Sequence, residues 1–179
     1  MSRVAEPLYK VSEPGHGDTF EPRAFWRSDD FTMSDDRPHD GWLEDRLLYA
    51  AEFDQVNIHL LPRVRRLRVW LDSPERCRRL RACGFAWPAD ARAVLFVADE
   101  DRPEVEAFAP TIFTFDRAGF ERTPSDEHIS REARTAVTSE TIPIADALRR
   151  WHVEVVYVPD TAALEAQLRG AGIDHQIQA

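Results

Sequence analysis

Val153-Glu154-Val155-Val156-Tyr157-Val158 is the clearest strand in the chain, β-branched and aromatic except for Glu154, which reads as the solvent face of a half-exposed strand. Ile144 to Trp151 before it reads as a helix. Thr161 to Arg169 after it reads as another, capped by Asp160 or Thr161 and ended by Gly170. Elsewhere strands do not alternate regularly with full-length helices, which disfavours a doubly wound parallel sheet. The expectation is α+β: a single domain over residues 1–179 with a mixed or antiparallel sheet and short helices.

Working outward, Ala91 to Ala98 (ARAVLFVA) is strand or helix, a choice that periodicity alone does not make. Arg102 to Ala109 suggests a short helix, Thr111 to Asp116 a strand, and Glu121 to Glu127 a polar connection. Ile129 to Val137 reads as a strand carrying Ser130, Arg131 and Glu132. Ser73-Pro74-Glu75 opens a helix that runs to about Cys83 and stops at Gly84. Val64 to Leu71 suits a half-exposed strand with its arginines mainly on one face. Arg46 to Phe53 suits a buried strand, and Asp54 to Leu61 a short helix before Pro62. Residues 20–43, rich in Asp, Pro, Arg and aromatics without a period, read as a long irregular loop. Leu8 to Ser12 alternates as a strand, closed by the turn Pro14-Gly15-His16-Gly17.

A net charge of -9 argues against a general nucleic-acid coat, since phosphate binding relies on Lys and Arg that displace counterions. The arginines 63, 65, 66, 68, 76, 78, 79 and 81 read first as a solvated, ion-paired face, and otherwise as a grip for phosphate. There is no phosphate-binding glycine loop, no HExxH and no GxSxG. The histidines at 16, 39, 59, 128, 152 and 175 stand singly, so no metal site is expected. Cys77 and Cys83 read as packing residues in a reducing cytoplasm. No leader of secretory type and no long apolar run is visible, so no membrane association is expected.

Three quoted stretches carry a resemblance: LYKVSEPG with FEPR from Leu8 to Arg23, LLYAAEFDQVNIHLLPR ending at Arg63, and ISREA with IPIADALRRWHVEVVYVPD from Ile129 to Asp160. Their order resembles an uncharacterised bacterial family, a domain of unknown function that opens with words like LYHFSEEP and FEPR. Lys10 stands where that family often has His, residues 24 to 43 differ, and Ser73 to Asp126 is unmatched.

A more distant resemblance, in the order basic strand, aromatic strand, late acid, is to the ADP-ribosyltransferase-like fold. It implies a transferase with NAD as its substrate and no metal. Residue by residue it implies that Lys10, the one lysine of the chain, holds a phosphate or ribose hydroxyl. Ser12 would contact the nicotinamide amide or ribose, Tyr49 would stack on nicotinamide, and Glu132 would be the catalytic acid. A carboxylate there would stabilise the positive charge that develops on ribose as the glycosidic bond breaks. No acid pair such as ExE surrounds Glu132. The acceptor would be a protein, a nucleic acid or a small molecule. The alternative is a non-catalytic interaction or regulatory module whose contact surface is the aromatic stretch from Phe25 to Trp42.

Overall fold

From the N-terminus the chain forms β1 (Leu8–Ser12), β2 (Thr19–Phe20), β3 (Arg23–Ser28), β4 (Phe31–Ser34) and β5 (Trp42–Ala50), then a 3-10 helix over Phe53–His59. Next come β6 (Arg66–Trp70), α1 (Pro74–Ala82), β7 (Ala93–Ala98) and α2 (Arg102–Ala107). They are followed by β8 (Thr111–Phe115), β9 (Glu121–Arg122), β10 (His128–Ser130), β11 (Arg134–Thr135) and β12 (Thr138–Thr141). The chain ends with α3 (Ile144–Arg150), β13 (Val153–Val158), α4 (Thr161–Gly170) and β14 (Gln176–Gln178). This computed structural model describes residues 5–28, 31–34, 42–123 and 127–178. The class is α+β, with antiparallel and mixed sheets. The one domain expected from length contains two compact units, residues 1–56 with 111–141 and residues 57–110 with 142–179.

The first unit is built from β-strands. β1 pairs antiparallel with β8, and β8 with β12, while β4, β3, β5, β10 and β9 lie side by side in that order. A bridge between Tyr9 and Ala51 ties β1 to the chain just beyond β5. Leu8, Phe20, Leu48, Ala50, Phe113 and Phe115 form the core, with the Phe20 ring edge-on to those of Phe113 and Phe115.

The long loop expected over residues 20–43 is corrected by β3, β4 and the start of β5. The alternation that would betray these strands is broken by register shifts, between Arg23 and Phe25 against β5 and between Trp26 and Ser28 against β4. Residues 29–30 and 35–41 of that stretch lie outside the described residues. Ile129 to Val137 is likewise not one strand. Ser130 Oγ accepts from the Glu132 amide at 3.2 Å and donates to the Glu132 carbonyl at 2.9 Å, and this local turn separates β10 from β11. Glu132 therefore sits in a bend, not on a strand.

In the second unit the sheet order is β13-β7-β6-β14, with β7 parallel to β13 and antiparallel to β6. Every residue of β7 is buried, which settles the ambiguity of ARAVLFVA: both its faces need cover. On one face Val94 and Phe96 join Leu67, Val69, Leu80, Leu164 and Leu168, so α1 and α4 close that side. α1 begins as read from Ser73 and Pro74, with Ser73 Oγ accepting from the Arg76 amide at 3.2 Å, and Gly84 beyond it takes a φ of +95°. Asp160 caps α4 by accepting from the amides of Ala162 and Ala163.

The half-exposed arginine strand needs correction too. Arg66 is 4% exposed and Arg68 7%. The Arg66 guanidinium donates through Nη1 to the carbonyls of Pro62 (2.6 Å) and Val64 (2.8 Å), and Arg68 Nη1 donates to Asn57 Oδ1 at 2.5 Å. Burial pushes Arg66 down to about 10, so it remains cationic at neutral pH. The solvated-face reading fits the exposed arginines 78 and 79, both of which pair with Glu75.

Phe96→Ala is expected to cost about 3–5 kcal/mol, since it empties a fully buried ring site between two helices, and Ser73→Ala about 1 kcal/mol. Urea unfolding of both variants against the parent checks the ranking.

Candidate functional site

Strand alternation places Leu8, Lys10 and Ser12 on one face of β1, and Leu8 anchors that face in the core. Lys10 stands opposite Phe113. Its Nζ donates to the Tyr49 carbonyl at 3.3 Å and lies 5.6 Å from the centroid of the Phe20 ring. The exposed His16, just after β1, stacks on the same ring: its own lies 4.1 Å from that of Phe20 at an interplanar angle of 8°. An ammonium and an imidazole thus meet around one buried phenyl ring.

The pairing of β2 with β11 sets the Arg134 backbone opposite that of Phe20. Arg134 Nε donates to Ser130 Oγ at 2.9 Å, and its Nη2 lies 3.5 Å from the Glu132 carboxylate. A Cβ placed on Gly119 would come within 3.0 Å of the Arg134 guanidinium, so glycine there lets that group lie against the backbone.

The sequence-predicted residues fall unevenly. Lys10 and the Tyr49 backbone meet directly, but Leu48 and Ala50 share the core face with Leu8, so alternation turns the Tyr49 ring to the opposite face. Ser12 closes β1 opposite Thr111, on the Lys10 face. Glu132 reaches this neighbourhood through Arg134 and is 81% exposed. Sequence reading passed over His16 and Arg134: His16 carried only the signal of a ring between two glycines, and Arg134 none that marks it from the other arginines.

A second polar cluster in this unit was equally hidden. Glu52 Oε1 accepts from Arg117 Nη1 and from His128 Nε2, each at 3.0 Å, while Arg117 Nε donates to the Glu6 carbonyl at 2.7 Å. The His128 side chain is only 3% exposed. The Arg117 hydrogen bond, with help from His128 and against some desolvation, holds the Glu52 carboxyl below its ordinary value of 4.5. Residues 52, 117 and 128 are far apart in sequence, and no spacing links them.

Among the described residues no group of three His, Cys, Asp or Glu side chains is placed to hold a metal ion, and no helix is long and apolar enough to cross a membrane. Comparison of the chain with protein-family models, curated proteins and solved structures finds no match.

A depressed folded-state carboxyl gives stability that is complete above its unfolded value and is lost as pH falls through its folded value. Stability should therefore fall as the pH drops below about 4.5, and Glu52→Gln should be less stable than the parent at neutral pH but lose less on acidification. Urea titrations at neutral and acid pH measure both slopes. Parallel curves would mean that Glu52 contributes nothing to the acid response.

Proposed function

We propose that the first unit binds NAD or a related nucleotide on the Lys10 face of β1 and acts on it in the manner of an ADP-ribosyltransferase. The observation that supports this best is the meeting of Lys10 and His16 at the Phe20 ring, with Arg134 opposite Phe20 in the pairing of β2 with β11. Two cations suit the diphosphate, and the exposed imidazole face suits stacking on a base or nicotinamide. His16 takes the stacking role expected of Tyr49, whose carbonyl instead positions the Lys10 ammonium. Ser12, on the same face, serves a ribose hydroxyl or the amide.

Arg134 Nη2 lies 3.5 Å from the Glu132 carboxylate. When a phosphate oxygen takes up the guanidinium, the carboxylate is released to the ribose. As the bond between ribose C1 and nicotinamide breaks, the electron pair leaves with nicotinamide and positive charge spreads over the sugar. The Glu132 carboxylate stabilises that charge, and an acceptor hydroxyl or amine adds at C1 and gives up its proton to water.

A non-catalytic interaction module is the second reading, favoured by the exposure of Glu132, which is that of a solvated surface carboxylate. Its proposed contact surface falls on β3, β4 and the first part of β5.

Millimolar NAD or ADP-ribose should raise the melting temperature, because a ligand that binds only the native state stabilises it, by about 2.7 kcal/mol at a hundred times its Kd. Lys10→Ala should reduce that shift. Glu132→Gln should keep it while lowering nicotinamide release by about 10²–10³-fold. An absent shift supports the interaction module, and full turnover by Glu132→Gln removes that residue from the chemistry.

A further inference from the structure

Sheets in folded proteins protect their edges, since an open strand presents unpaired amides and carbonyls to any other strand. The second unit protects only one of its two. At one end β14 is just three residues, Gln176–Gln178, with glutamine on both sides of its single apolar residue. At the other end β13 runs for six residues, with no Lys, Pro or Gly. Its pairing with β7 is unbroken from Val153 opposite Ala93 to Val158 opposite Ala98, so no bulge twists the edge away. Glu154, Val155, Val156 and Tyr157 are each partly exposed. Among the described residues nothing pairs with the outer side of β13.

An open groove of about 420 Å³ runs beside this strand, between it and α3, with Leu148, Val153, Val155 and Tyr157 among its lining. Three of its rim side chains have polar partners, Asp90 in His152 at 3.4 Å, Glu106 in Arg102 at 3.7 Å and Arg149 in Asp146 at 3.0 Å, and Glu154 is the remaining charged residue of the lining. One carboxylate beyond these pairs makes no row of charge to select a charged peptide. What the edge offers is backbone hydrogen bonding and apolar side chains.

We propose that β13 is the interface at which two copies of this chain associate, edge to edge and antiparallel, into one continuous sheet. Residues opposite each other in an antiparallel pair lie on the same face, and a two-fold axis preserves faces, so opposed positions must differ by an even number. Centring the axis on Val156 sets Val156 against its own copy and Val155 against Tyr157 of the second copy on each side of the axis. Aromatic and β-branched residues make favourable cross-strand pairs. Val155 and Tyr157 line the groove, so the incoming tyrosine lands over it and covers its apolar lining. Glu154 meets Val158, and the two Glu154 carboxylates stay apart. A symmetric partner thus satisfies the backbone, sets a tyrosine beside the groove and avoids a like-charge contact with one and the same register.

Sedimentation equilibrium of the full chain across the micromolar range tests this. The expected result is reversible association to twice the 20.6 kDa chain mass, with amide exchange over 153–158 slowing as concentration rises. Val155→Lys and Tyr157→Lys, introduced separately, should each weaken association by about tenfold or more. A chain that stays monomeric with no concentration-dependent protection of β13 overturns the proposal. So does a dimer whose affinity both folded variants leave unchanged, or a monomer that captures an extended peptide on this edge. If a variant fails to fold, the exchange of the unaltered chain decides.

Discussion

The burial of β7 on both faces and along both edges is the constraint on which the second unit depends. A strand that reads AVLFVA can present no side to water, so it needs a helix layer above, another below and a strand to either side. β6 comes from just before it in the chain. The other partner, β13, arrives only after β8 to β12 have been traversed, and it pairs in parallel, as a crossover connection allows. The helices α1 and α4 exist as amphipathic covers for Val94 and Phe96, and their sequences are read correctly because their caps are local while their apolar faces answer to that strand.

Arginine plays a second structural part here, as a clasp for irregular backbone. Arg66 gathers the carbonyls of Pro62 and Val64, Arg76 reaches that of Trp70, Arg79 those of Ala171 and Gly172, and Arg117 that of Glu6. A planar fork with several donors suits such work, because turns and helix ends leave carbonyls without regular partners. Lys10 differs in kind. Its compact ammonium also meets a carbonyl, that of Tyr49, but lies at the same time within reach of an aromatic face. The chain thus spends its forks on architecture and places its one ammonium at the rim of an aromatic core.

Legibility from sequence followed the range of the interactions. Ser73, Pro74, Gly84 and Asp160 announce helix ends because their hydrogen bonds close within a few residues, and Val153 to Val158 announces itself by composition. β3, β4 and the start of β5 were illegible because bulged register destroys period two, and the short strands β2, β11, β12 and β14 because they are held by partners from remote parts of the chain. In the candidate site, Lys10 and Ser12 were visible as the alternating face of one strand. The Tyr49 ring was misjudged, since a one-residue difference in pairing decides which face a ring takes. His16, Arg134 and the Glu52, Arg117 and His128 cluster depend on contacts that only the folded pairing creates.

The two units are threaded through one another in sequence. Thr111 and Thr141 face each other as strand partners, their hydroxyls 2.7 Å apart, and Ile142 donates its amide to the Pro110 carbonyl at 3.1 Å. During synthesis this geometry dictates a late finish for both halves. β1 must wait for β8, β5 for β10, and β7 for β13, so the emerging chain carries open strand edges until most of it has been made. Pairing of this range is slower to form than the local contacts of a helical bundle of equal length, and the edge of β7 that faces β13 stays open until residue 158 has been made.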